Sequence, residues 1–147
     1  LILADALTWC WRELGAARVV DLATLTGAVL VALGSTYSAL ISNDDDWASR
    51  VTEAADAAGE LVWRLPLHPE YKELTRGKVA DLTNSAAKRK AGTIYAGSFL
   101  EEFVDAVPWA HIDIAGTAWD TGREYVGDGP TGVGVRTLVR LAAELAG

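Results

Sequence analysis

Two short stretches of this chain hold residues whose types and spacing could do chemistry. In "ATLTGA" (23–28), Gly27 follows Thr24, Leu25 and Thr26. Such a turn lets the backbone come close to a ligand, and its successive amides could hold an oxyanion. The same residues also make an ordinary strand-to-helix connection, in which Thr26 caps and Gly27 bends the chain. In "HID" (111–113), His111 and Asp113 stand two apart, so in a strand they point to one face and could share a metal. They share that face with Trp109, while Ala110, Ile112 and Ile114 fill the other. Structural hydrogen bonds therefore satisfy the pattern, and two ligands without convergent partners fall short of a metal site.

The remaining reactive residues point to less. "NDDDW" (43–47) lacks the alternating ligands, central glycine and closing glutamate of a calcium loop, and reads as a solvated turn before a helix. "KRK" (88–90) is a basic run in a loop, and His68, between Leu67 and Pro69, has no nearby nucleophile. Neither a G-x-S-x-G elbow nor a G-x-x-x-x-G-K-[ST] loop occurs. The single cysteine, Cys10, lies on the apolar side of a helical pattern and excludes an internal disulfide, in keeping with a reducing compartment.

The elements that must position these residues follow from hydrophobic period. "LILADALTWCWREL" carries apolar residues at helical spacing, yet no capping residue stands before Leu1. That start inside a helix reads as a piece of a longer chain. "RVVDLA" (18–23) is a short β-branched run and "YSALIS" (37–42) a second strand. "DWASRVTEAADAAGE" is a helix with Asp46 as its cap and Gly59 as its stop. "LVWRLPLHPEY" is extended, "KVADLTN" a further strand and "SAAKRKAG" a loop. "TIYAGSFLEEFV" is helical, "WAHIDIAG" an alternating strand, and "VGVRTLVRLAAEL" the last amphipathic helix.

Strands separated by helices predict an α/β fold, layered helix–sheet–helix around a largely parallel central sheet that is incomplete at its N-terminal side. At 147 residues and 50% hydrophobic, the chain is large enough for one real core. Ligands of such sheets sit at the carboxyl ends of strands, which directs attention to the residues after Ala23 and Ile114. A net charge of −7 argues against nucleic acid as a partner. The uncharged stretch from Leu22 to Ser42 approaches the length of a membrane span, but it carries several hydroxyls and glycines and is flanked by aspartates, so no membrane is expected.

Seven blocks of the sequence carry a resemblance. "LILADALTW", "VVDLATLTGAVLVALG", "GELVWRLPLHPEY", "ADLTN", "GTIYAGSFLEEFV", "WAHIDIAGTAW" and "PTGVGVRTLV" stand in the order found in the leucyl (cytosol) aminopeptidases of the M17 family. The chain resembles that family over essentially its whole length. The resemblance implies that residues 1–147 are the C-terminal portion of the catalytic domain, beginning just after an Asn-Thr-Asp-Ala-Glu-Gly-Arg motif. In the family that motif binds metal and supplies a catalytic arginine, with the other ligands and the catalytic lysine still further upstream.

What carries over to this chain is the substrate side. By position in the motifs, Thr24, Gly27 and Ala115 match residues lining the pocket for the first side chain of the substrate. Ala118 falls where some relatives place methionine, and Leu25 matches a residue whose backbone contacts substrate. The Leu25 and Gly27 amides match those near a bicarbonate-type anion. The resemblance further implies two divalent ions (zinc or manganese) in the intact parent, peptide substrates with Leu-like ends, a homo-hexamer and a cytoplasmic location. It implies that this chain alone is inactive. A noncatalytic binding or assembly module that retains the scaffold is the alternative.

Overall fold

The computed structural model describes residues 1–85, 90–119, 121–124 and 126–147. Helices and strands run in the order α1 (Ile2–Arg12), β1 (Val19–Ala23), α2 (Ala28–Leu33), β2 (Ser38–Ser42), α3 (Asp45–Ala58), β3 (Val62–Arg64), α4 (Pro69–Glu73), α5 (Gly92–Glu101), β4 (Trp109–Asp113) and α6 (Val135–Ala146). The strands form one sheet in the order β1-β4-β2-β3. β1 and β4 pair in parallel, as do β2 and β3, and β2 runs antiparallel to β4. The sheet is therefore mostly parallel, as expected, and one antiparallel seam joins its two parallel halves.

β2 and β4 occupy the centre, and every residue of both is buried. Leu40 and Ile41 are wholly enclosed, and burying each such side chain stabilises the fold by about 1.5–3 kcal/mol. One face of the sheet packs Ile41 and Trp109 against Leu7 of α1 and Phe99 and Leu100 of α5. The other packs Leu40, Ala110 and Ile112 against Trp47 and Val51 of α3 and Leu141 of α6. The alternation of "WAHIDIAG" thus divides two cores, with the polar members of one face buried rather than solvated. None of the described helices is long and apolar enough to cross a membrane.

Three expectations are corrected. Asp44, not Asp46, caps α3: its Oδ1 accepts the Trp47 amide at 2.7 Å, so the helix starts two residues earlier. "KVADLTN" forms no strand, only an isolated bridge between Arg76 and Leu82. The segment turns back on itself because the Gly77 amide donates to the Asp81 carbonyl and the Thr83 amide to the Thr75 carbonyl. A Cβ at position 77 would lie 2.0 Å from the Ala80 oxygen, so only glycine permits this turn. The extended "LVWRLPLHPEY" yields to α4 at Pro69, where the fixed proline φ suits a first helical position and His68 Nδ1 accepts the Glu70 amide. Residues 86–89, with most of the basic run 88–90, lie outside the described residues.

Candidate active site

Parallel pairing of β1 with β4 sets Ala23 beside Asp113, so the two strands end together. The loops that follow, 24–27 and 114–118, leave the sheet at the same edge. The Ile114 amide donates to the Ala23 carbonyl at 2.9 Å, which carries the pairing one step past the strands.

Asp113 holds the two loops together. It is fully buried, and its Oδ1 accepts the amides of Leu25 (3.1 Å) and Ala115 (3.2 Å). Its Oδ2 accepts the Thr26 hydroxyl at 2.6 Å. A buried carboxylate is tolerated when its lone pairs are met, and three donors from two loops meet them here. The Thr26 oxygen in turn accepts the Val29 amide at 3.3 Å in the first turn of α2, as expected of a capping threonine. Gly27 has an ordinary helical φ of −71°, and a Cβ there would meet nothing within 4 Å. Backbone conformation therefore does not require glycine at 27; its effect is to leave the space in front of the turn open.

That space is an apolar cleft of about 820 Å³. Leu25, Gly27 and Val31 form one wall, and the start of α5 at Gly92, Thr93 and Ala96 forms the other. At the cleft floor the two helix starts touch, since a Cβ on Gly92 would lie 2.8 Å from the Ala28 Cβ. Of the residues singled out from the sequence, Leu25 and Gly27 line this cleft, and Thr24 is exposed on the same turn. Ala115 is tied to that turn through Asp113 but does not line the cleft. Ala118 sits one turn further on, its amide donating to the Ile114 carbonyl and its carbonyl accepting the Thr131 amide. The Leu25 N–H points inward to Asp113.

Sequence reasoning missed the role of Thr93 and of the α5 start. The signal was present as the small residues of "GTIYAGSF", which allow close approach. A Cβ on Gly97 would lie 2.5 Å from the Ile41 Cδ1, so α5 lies directly on the sheet.

The metal reading of "HID" finds no support in the geometry. His111 is fully buried, and its Nδ1 lies 2.6 Å from Asp21 Oδ1 on the neighbouring strand. The Trp109 indole donates to the other oxygen of Asp21 at 2.6 Å. Asp113 is engaged by its three donors. Among the described residues no group of three or more His, Cys, Asp or Glu is placed to hold a metal ion.

Paired loops at the carboxyl ends of neighbouring parallel strands, the first of them lining an apolar cleft, define an α/β domain with a candidate ligand site where such sheets carry theirs. The sequence profile of the cytosol aminopeptidase family, catalytic domain, matches residues 1–139, and the chain belongs to that family. It is 53% identical over 146 residues to a probable cytosol aminopeptidase of Alkaliphilus oremlandii, covering 99% of this chain and 29% of that protein. It is 52% identical over 143 residues to one from Desulforapulum autotrophicum, covering 96% of this chain and 28% of that protein. A solved mutant of tomato leucine aminopeptidase superposes with a TM-score of 0.89 at 40% identity, over 97% of this chain and 27% of that one. The chain thus spans under a third of the length of these relatives.

Proposed function

We propose that residues 1–147 are the C-terminal portion of an aminopeptidase catalytic domain and supply the substrate-holding wall of its active site. Family membership supports the reaction class, hydrolysis of the N-terminal residue of a peptide. The observation that carries the substrate-side role is the Asp113 linkage, which fixes loops 24–27 and 114–118 beside an apolar cleft. In this reading Gly27 in the cleft, with Thr24, Ala115 and Ala118 on the joined loops beside it, meets the first side chain of the substrate. Leu25 contributes its carbonyl and side chain, its N–H being held by Asp113. A bicarbonate-type anion would then rest on the Gly27 amide.

Among the described residues no group of side chains is placed to compose a metal site. In this reading the two divalent ions of the reaction are held by residues of the parent outside this chain, and no chemical step is assigned to the residues present. Two features fit a wall that packs against more protein. β1 is an edge strand, and α1 exposes Ile2 (87%) and Trp9 (60%). The parent is proposed to be a cytoplasmic homo-hexamer acting on peptides.

Alanine at 118 leaves room for Phe- or Met-sized ends as well as Leu, and selection among them is soft because each methylene in such a pocket is worth only about 1–3 kcal/mol. Hydrolysis of leucine, phenylalanine and methionine amides is the test, run side by side on the complete gene product and on the 147-residue chain. Turnover of all three by the former and none by the latter is expected. Turnover by the isolated chain, or stoichiometric tight zinc binding to it, overturns its noncatalytic role. A complete gene product that cleaves none of the amides returns the chain to the class of binding modules.

A further inference from the structure

Thr26 and Thr93 are joined across the cleft floor, and their hydroxyls are ordered by Asp113. Their oxygens lie 2.9 Å apart. A threonine hydroxyl has one proton to donate and two lone pairs. The Thr26 proton is committed to Asp113 Oδ2, a carboxylate oxygen that accepts only. Thr93 must therefore donate to Thr26, whose second lone pair takes the Val29 amide. The sequence of bonds runs from the end of β4 through the turn after β1 to the first turn of α5, with every donor in a fixed direction. Thr93 is buried and Thr26 half-buried, so water competes little for these bonds.

We infer that Thr26 and Thr93 are positioning residues for substrate: their hydroxyl pair, directed by Asp113, sets the separation of the two cleft walls. The walls meet at Ala28 and Gly92, and the hydroxyl pair lies beside that contact. Above it Val31 and Ala96 face the cleft from α2 and α5. Loss of the bond frees α5 to shift against α2, and the cleft then holds a side chain less tightly. The inference rests on the proposed aminopeptidase reading, because it assigns the cleft to peptide substrate.

Such a device acts on binding common to ground and transition states, so its loss raises KM and leaves kcat in place. A merely structural role does the reverse: it lowers the folded fraction, hence apparent kcat, with KM unchanged. The experiment measures both constants for leucine amide with the complete gene product and its Thr26→Val, Thr26→Ser, Thr93→Val and Thr93→Ser variants. Thr26→Val removes a hydrogen bond to a charged group and is expected to raise KM about ten- to a hundred-fold. Thr93→Val removes a neutral bond, with a rise of about three- to ten-fold, while both serine variants stay within about two-fold of wild type.

Unchanged KM in the folded valine variants overturns the inference. Serine variants as impaired as the valines overturn it too, by assigning the effect to the methyl group. Should Thr26→Val not fold, Thr93→Val carries the test alone, since it leaves Asp113 with all three donors. Failure of the wild-type protein to hydrolyse amides is a separate result, and it strikes the proposed function rather than the hydroxyl pair.

Discussion

Glu60 offers a quantitative test of how the last helix is held in place. α6 follows Gly134, an N-cap with no side chain to cap the helix. Glu60, only 5% exposed, supplies the missing acceptor from a distant part of the chain. Its Oε2 takes the Gly134 amide (3.1 Å), the Thr137 amide (3.0 Å) and the Thr137 hydroxyl (2.6 Å), while Oε1 takes Arg136 Nε at 3.3 Å. Burial alone pushes the carboxyl pKa up, but the Thr137 hydroxyl and amide, with Arg136, outweigh it, and the net shift is below the ordinary 4.5.

Glu60→Gln preserves the shape and removes the charge. A glutamine oxygen offers the same two lone pairs as Oε2 but no full charge, so the bonds from Gly134 and Thr137 weaken, and the NH2 that replaces Oε1 meets Arg136 Nε donor to donor, at a cost of about 1–3 kcal/mol. The lost negative charge at a helix N-terminus adds about 0.3–1 kcal/mol. The exposed Arg136 contributes little. The sum is about 1–4 kcal/mol, or a fall in Tm of about 3–15 °C for a chain of this size. Because the folded-state pKa is lowered, the Glu60 contribution is fully present above about pH 4.5 and is lost as pH falls through the folded value.

Urea unfolding of the two proteins, followed by tryptophan fluorescence, reads the difference directly. The stability gap is constant from pH 7 to 5 and closes in more acid solution, where Glu60 is itself neutral. Contributions common to the two proteins cancel in this difference. A gap under about 0.5 kcal/mol at pH 7, the range of ordinary surface changes, refutes the reasoning, as does a gap that acid leaves unchanged.

Other perturbations test the packing that carries the site. Gly97→Ala forces a Cβ to within 2.5 Å of Ile41 Cδ1 and 2.9 Å of its Cγ2 in the centre of the sheet. A loss of about 1–3 kcal/mol is expected in denaturant unfolding, with α5 displaced, and unchanged stability would show that Ile41 has room to turn. Gly134→Ala meets Leu22 Cδ2 at 2.1 Å in a backbone of φ +89°, so strain and overlap combine and its effect on the melting temperature should exceed that of Gly97→Ala. Asp44→Ala removes the cap of α3 at a cost of about 0.5–2 kcal/mol, whereas Asp46→Ala stays near neutral. Equal losses in calorimetry would return the cap to Asp46.

Much of this architecture was legible because the period of the apolar residues was decisive where the elements are buried. "VVDLA", "SALIS" and "WAHID" became β1, β2 and β4. The amphipathic patterns of α3 and α6 were equally plain. "KVADLTN" misled because its apolar residues are few, and the close approach that requires glycine at 77 involves an oxygen three residues on rather than any pattern in the sequence. The cap of α3 was ambiguous among three consecutive aspartates, and only the backbone of Asp44, extended at φ −133°, selects it. At the site, the strand-end turn was found from the sequence, but its far wall was not. Thr93 meets Thr26 across 67 residues, and Asp113 reaches Leu25 across 88, distances over which no local period informs.

Buried carboxylates show why the contacts of the candidate site could not be assembled from the sequence. Asp21, Glu60 and Asp113 are each enclosed, and each accepts from donors far along the chain. Asp21 ties β1 to Trp109 and His111 within the sheet, Glu60 ties the end of α3 to the start of α6, and Asp113 ties the two strand-end loops. An apolar contact at the same places would tolerate sliding, whereas a carboxylate with directional donors tolerates little, because a displaced donor is left buried and unmet. The geometry of the candidate site therefore depends on polar residues that a hydropathy pattern reads as surface. For the same reason Asp113→Asn is more informative than any substitution of an apolar cleft residue. Oδ1 keeps its two amides, and the new NH2 donates to Thr26, whose proton must then turn toward Thr93. The loops stay joined while the direction of the hydroxyl pair reverses. Near-normal stability with an altered KM would separate the ordering of the hydroxyls from the mere presence of the contacts.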